Sequence, residues 1–364
     1  LTRRAAASCR STLRCRIAAA QRIEGVPSGK RRAWRADVPI MAESSAWAFP
    51  DALQPQPGDV AFDVEALSAS IVRVRAAIPD DAFTAPVLGT EREGNGIVIR
   101  DDGLVLTIGY LITEAATTWL TTRRGEVVSA HPIVYDYASG FGLLHPLGHL
   151  DVAPMAIGDP ARVAAGDDVY VIGYGGRRHA LKAKVFAKRE FAGYWEYVLD
   201  EAFFTTPAHP EWSGAALVDA RGRLVGVGSL FVQEQQDGEP TQGNMFVPID
   251  LVTPLVAGLA DRASRPAKPR PWLGMYTADV GDGLVVNGVA VNAPADVAGI
   301  EPGDVVVAIG GEPVHGLADL FRRIWRTGPA GAEIALTLLR KGTRLEVRVK
   351  SASREDFLKK PTLQ

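Results

Sequence analysis

From about residue 59 onward the chain is written in short runs of alternating apolar and polar residues, each cut off by glycine or Asp-Gly. Successive side chains on a strand point to opposite faces, so this period of two calls for antiparallel sheet with one buried face. Ser70 to Val74, Ile97 to Ile99 and Leu104 to Thr107 are the first such runs, and the turn Asp101-Asp102-Gly103 marks a hairpin. Others follow at Val127 to Ser129, Asp168 to Ile172, Lys182 to Phe186, Leu224 to Val227 and Met245 to Val247. Helix is scarce until Leu251 to Ala260, which closes the region. Evenly spaced strands with long loops and little helix predict a mainly β fold built as a closed barrel or a pair of them.

Residues 261–270, DRASRPAKPR, are polar, carry two prolines and read as a linker. Beyond them lies a compact unit from Pro271 to about Lys350 with strands at Leu284 to Val286, Val305 to Ile309, Ile334 to Leu339 and Leu345 to Val349. Leu317, Leu320, Phe321 and Ile324 fall at i, i+3, i+4 and i+7 of one helix, and Gly328 follows as a stop signal. The expected division is a leader over 1–58, a barrel region over 59–260, the linker, a small α+β unit over 271–350 and a frayed tail over 351–364.

A chain of 364 residues exceeds what one core supports, so more than one domain is expected. Residues 1–40 hold ten Lys and Arg against Glu24 and Asp37; the remainder has 30 basic and 40 acidic residues, a net of about −10. A body that acidic is a poor general nucleic-acid binder. No apolar run is long enough to span a bilayer as a helix. Both cysteines, Cys9 and Cys15, sit in the leader, leaving the folded region without a disulfide or a thiolate metal site. The leader has the Arg, Ser and Ala content of an organelle transit peptide and lacks the apolar core of a secretory signal. Because Met41 opens a more ordinary sequence, the expectation is that residues 1–40 lie upstream of the translated protein, which then has no export signal and is cytoplasmic.

Four segments occur in a telling order: GNGIVIRDDGLVLT, then MAIGDPARVAAGDDVYVIGYG, then WSGAALVDARGRLVGVGSL, then GNMFVPI. Together they resemble the HtrA family of trypsin-fold serine proteases, and with the C-terminal unit the likeness covers roughly residues 60–350. The resemblance implies a trypsin-like double β-barrel with Ser213 at the nucleophile position and Gly214 after it. The family's histidine position falls on Tyr110, and its aspartate position on Gly140. A phenol, with a reference pKa near ~10, is a poor base at neutral pH. Asp136 is the nearest acid, but it matches a non-catalytic acidic position. The turn that holds the oxyanion reads Glu211-Trp212-Ser213-Gly214, without the usual glycine before Trp212. His209 lies four residues before Ser213 and is expected to be a surface-loop histidine.

The segments PWLGMYTADV and GLVVNGVAVNAPADVAGIEPGDVVVAIGGEPV resemble a PDZ domain. That likeness implies that Trp272, Leu273, Gly274 and Met275 form a loop whose N–H groups hold a peptide's terminal carboxylate. The implied groove runs beside the helix carrying Leu317, Leu320 and Ile324, with strand addition supplying affinity; the plain alternative is that these apolar residues are core. His145 and His149 do not read as a zinc pair, because Pro146 and Gly148 break any helix. Gly173 to Arg178 lacks the ending of a phosphate loop and reads as a loop between strands. No metal or cofactor is expected. The residues therefore support two functions: a catalytically impaired homologue that binds protein C-termini or unfolded segments, or a working serine endopeptidase using Ser213. The resemblance also implies a possible homotrimer and, for localisation, a periplasmic alternative.

Overall fold

The computed structural model describes residues 47–58, 60–236, 239–260, 268–281 and 283–360. The leader with Cys9, Cys15 and Met41, the linker over 261–267 and the last four residues lie outside the described residues. The described residues from Phe49 onward belong to one compact unit.

Six strands close the first barrel: β1 (Ile71–Ala77), β2 (Glu91–Val98), β3 (Val105–Ile108), β4 (Thr117–Thr121), β5 (Val127–Tyr135) and β6 (Phe141–Pro146), in the order β1-β2-β3-β6-β5-β4. The hairpin expected from IVIRDDGLVL is present: Ile97 pairs with Leu106, and Gly103, at φ 80°, donates to the Arg100 carbonyl. The second barrel has six more: β7 (Asp168–Ile172), β8 (Ala180–Gly193), β9 (Tyr197–Thr206), β10 (Ala216–Val218), β11 (Leu224–Gln236) and β12 (Glu239–Pro248), ordered β10-β11-β12-β9-β8-β7. Inward residues such as Val72, Val74, Leu106, Leu143, Val171 and Phe203 are fully buried, and closure leaves no barrel edge to be paired. A turn of 3₁₀ helix over Ile249–Val252 leads into α1 (Thr253–Ala260), so the closing helix starts two residues later than its apolar spacing predicts.

Beyond the linker, β13 (Met275–Val280), β14 (Gly283–Val289), β15 (Val305–Ile309), β17 (Glu333–Arg340) and β18 (Thr343–Lys350) form one sheet, with β16 (Glu312–Pro313) paired to β15. Helix α2 (Leu317–Arg326) packs on it through Leu317, Leu320, Phe321 and Ile324, the four residues whose spacing predicted it. Among the described residues no helix is long and apolar enough to cross a membrane.

Over the described residues 351–360 the tail is tied down rather than frayed. Ala352 and Trp272 exchange backbone hydrogen bonds, Arg354–Phe357 forms a 3₁₀ turn, and the Phe357 ring packs on Trp272 at 4.9 Å. Lys359 N–H then reaches the buried Glu114 carboxylate at 2.9 Å. The segment looks polar in sequence because its anchors are one aromatic ring and main-chain donors, neither of which produces a periodic pattern.

Candidate active site and peptide groove

Ser213 sits half-buried on a turn between the barrels, held from the β2 side by Asn95. The Asn95 amide group donates to the carbonyls of Glu211 (2.8 Å) and Ser213 (3.0 Å), its main-chain N–H donates to Ser213 O (2.8 Å), and its side-chain oxygen accepts from Tyr174 N (2.7 Å). Gly214 has φ 73°, and a Cβ there would collide with the Asn95 carbonyl, so glycine is the residue this close crossing admits. Three hydrogen bonds from Asn95 thus tie the turn to β2.

Tyr110 lies in the 3₁₀ turn Gly109–Leu111 that follows β3. Its hydroxyl oxygen is 2.7 Å from Ser213 Oγ and 2.9 Å from the carbonyl of Ser229. A phenol has one proton and a carbonyl can only accept. With that proton on Ser229 O, the Ser213 hydroxyl donates to a neutral phenol. Burial pushes the Tyr110 phenol well above its ordinary value, with hydrogen bonds to Ser213 and Trp212 acting the other way. The structure therefore brings Ser213 and Tyr110 together. Gly140 joins them indirectly: its carbonyl accepts from Gly109 N–H at 2.7 Å, at the root of the turn bearing Tyr110. Gly140 adopts φ 78°, and Asp136 is occupied by its own turn, accepting from Ser139 N and Oγ.

His209 is fully buried, not the surface residue its polar neighbours suggest. Its Nε2 is 2.9 Å from the His179 carbonyl, which fixes a proton there, and Nδ1 then accepts from Glu211 N–H at 3.0 Å. Phe49 packs edge-on against the ring. Both ring nitrogens are committed within the barrel. The same bond engages the Glu211 main-chain amide, two residues before Ser213. Trp212 packs tilted against Phe231 with ring centres 5.6 Å apart, in the middle of the turn.

In the C-terminal sheet, Leu273, Met275, Leu317, Leu320 and Ile324 all belong to one buried core, and Trp272 packs separately with Ala290, Ala293, Phe83 and Phe357. The apolar residues assigned to a groove are thus filled positions. Gly274 has φ 70°, and a Cβ there would strike Ala293 and the Trp272 ring. The carbonyls of Leu273 and Gly274 accept from Ala295 and Ala290.

Residues 94–227 match the trypsin-like peptidase domain and residues 271–351 match the PDZ domain. The chain joins a trypsin-like peptidase domain to a PDZ domain. HhoA of Synechocystis sp. is 26% identical over 90% of this chain and 88% of its own length. The periplasmic pH-dependent serine endoprotease DegQ of Escherichia coli is 27% identical over 74% of this chain, and a DegP-like protein of Hahella chejuensis 25% identical over 70%. The chain spans 61% and 56% of the lengths of these last two. Among solved structures, the HtrA-type protease AlgW with a decapeptide aligns over 80% of this chain and 98% of its own, at 19% identity and a TM-score of 0.47.

Two residues of the peptidase domain escape the sequence reading. Asn95 anchors the turn bearing Ser213, and its only sequence signal is a polar residue between two glycines in a buried strand. Arg92 is 5% exposed and donates to the Tyr110 carbonyl (2.7 Å), the Thr113 carbonyl (3.1 Å) and Thr84 Oγ1 (2.7 Å), which fixes the turn carrying Tyr110. Burial lowers its pKa to about 10, with Glu114 and Tyr135 opposing the shift. Among the described residues no group of three His, Cys, Asp or Glu is placed to hold a metal ion; His145 pairs across the sheet with His131. Gly173 to Arg178 connects β7 to β8 and delivers Tyr174 N–H to Asn95.

Proposed function

We propose that this protein is an HtrA-like serine protease homologue with impaired catalysis, which binds protein C-termini or unfolded segments through its PDZ domain. The peptidase domain is taken as residues 59–260 and the PDZ domain as 271–350. The observation that carries the reading is the 2.7 Å contact between Ser213 Oγ and a phenol whose pKa is raised. Serine needs a group that takes its proton as the acyl bond forms, an acid to hold that group, and donors aimed at the oxyanion. Tyr110 keeps its own proton at neutral pH, Gly140 supplies no carboxylate, and the Glu211 amide is spent on His209. The test is labelling with a fluorophosphonate probe, comparing the wild type with Ser213→Ala. Silence in both supports the binding role, and labelling of the wild type alone removes it.

The second reading, a working serine endopeptidase, draws support from the retained Ser213-Gly214 pair on a turn tied to β2 and from relatives named as serine endoproteases. Labelling of Ser213 and cleavage of an unfolded protein such as casein would establish it. For the compartment, the cytoplasmic expectation finds no support among the relatives, and the periplasm named for DegQ is the location proposed.

A further inference from the structure

The loop Leu273-Gly274-Met275 has a buried acid beside it. Strands β8 and β9 extend past the barrel as a long hairpin whose turn is Tyr194-Trp195-Glu196. Glu196 is 8% exposed and has φ 61°, a left-handed conformation that is strained for a residue with a side chain and would suit glycine. Its carboxylate faces the N–H groups of Met275, Gly274 and Leu273, yet neither oxygen completes a hydrogen bond of ordinary geometry. Burial raises its pKa to about 7, with Arg354 and these three amides acting against the shift. A strained, buried and under-bonded acid persists only where its surroundings hold it in place.

Those surroundings are the walls of the peptide groove. Ala192 of β8 and Val198 of β9 pack against the PDZ core, and Trp195 lies against Tyr276 of β13, with ring centres 6.2 Å apart. From the helix side, Arg322 of α2 pairs with Glu190 (2.5 Å) and Asp200 (2.6 Å), one on each strand of the hairpin. From the tail, Arg354 donates to the Trp195 carbonyl at 2.9 Å. The hairpin is therefore held between β13 and α2 with its acid on the carboxylate loop.

We propose that Glu196 is an internal ligand of this loop, so that an incoming chain terminus with a free carboxylate binds only by expelling the hairpin tip. The proposal rests on the reading of the PDZ domain as a binder of chain termini. A tethered occupant competes at high effective concentration even when its bonds are poor. The incoming terminus sees an affinity reduced by the fraction of molecules with the hairpin withdrawn. Because Glu196 satisfies its oxygens badly, a carboxylate that aligns on the same amides gains charge-assisted hydrogen bonds that Glu196 lacks. The occupant is consequently displaceable.

The test uses the full chain, wild type and Glu196→Ala, with a library of C-terminally randomised decapeptides carrying free or amidated ends. Amide hydrogen exchange over residues 273–275 is measured on the same samples. The expected result is at least roughly tenfold tighter binding of free-ended peptides by the variant, no gain for amidated ones, and faster exchange at the three amides. Equal binding by the two proteins with unchanged exchange would overturn the internal ligand while leaving peptide recognition intact. If neither protein binds any peptide, terminus recognition falls; exchange then decides alone, acceleration in the variant supporting a seated Glu196 and its absence removing it.

Discussion

At Ser213, chemistry depends on where a few protons reside. What the sequence brings together at the site is Ser213 and Tyr110, whose hydroxyl oxygens lie 2.7 Å apart, with Gly140 at the root of the Tyr110 turn. What it hides is the state of His209, which looks exposed between Pro207 and Pro210, yet is buried and hydrogen-bonded at both ring nitrogens. Its commitment to Glu211 N–H makes a specific forecast for the double variant Tyr110→His with Gly140→Asp. The introduced aspartate would have to adopt the φ near 78° that Gly140 holds, a strained conformation for a side chain, and the oxyanion turn would still lack the Glu211 amide. Loss of one such donor costs ~10²–10³ in rate, so casein cleavage by the variant is expected to stay at least that far below a competent protease. Brisk cleavage would mean that substrate turns the amide outward. Asn95 was illegible because its role is contact with a segment over a hundred residues away. Asn95→Ala removes three side-chain hydrogen bonds in a buried position, and a loss of roughly 2–4 kcal/mol in urea unfolding is expected.

Strand existence was readable from alternation, but strand length was not. Lys182 to Phe186 is only the barrel-facing part of β8, which runs on to Gly193, because the outer section trades alternation for contacts with another domain. That outer section carries Glu196, and its titration gives the hairpin a pH dependence. The groups around the carboxylate are Arg354 from the tail, the phenol of Tyr276 on β13, Tyr194 beside it in the turn, and the three loop amides. Docked, the carboxyl titrates at about 7; withdrawn into water it returns to about 4.5. The docked state thus binds the proton more tightly, so docking is strongest below about pH 4.5 and is lost as pH rises through about 7. A peptide's terminal carboxylate is ionised throughout this range, and a guanidinium keeps its charge. Free-ended peptides are therefore expected to bind roughly tenfold more tightly at pH 8 than at pH 6. Glu196→Gln should flatten the profile, and a wild-type affinity that ignores pH would dissociate Glu196 from the groove.

Over the whole molecule, the two domains are joined by more than the linker. The composition shift at 261–270 announces a further unit, and the sheet beyond it has a buried core of its own, but nothing periodic announces the strap that runs from Ala352 back to the first barrel. Its parts act in series. Arg354 braces the hairpin turn, Phe357 covers Trp272 beside Phe83, and Lys359 N–H joins Phe83 and Thr84 on the Glu114 carboxylate. Truncation after Ala352 keeps the Trp272–Ala352 backbone pair and removes the hydrogen bonds that Arg354 and the Lys359 main chain make to the body, the exposed Lys359–Asp81 ion pair, which contributes little, and one half-buried aromatic ring. At about 1 kcal/mol for each bond and a comparable amount for the ring, the loss is roughly 2–3 kcal/mol. Urea unfolding followed by tryptophan fluorescence measures it, since Trp272 and Trp195 both lie under the strap. Removing Arg354 also removes a charge that favours the ionised form of Glu196, so the docked carboxyl is raised further and the gain in peptide affinity between pH 6 and pH 8 is expected to be larger in the truncated chain than in the full one. An unchanged unfolding midpoint together with an unchanged pH profile would show that the strap rests on the domains without bracing them, and that the hairpin is held by the groove alone.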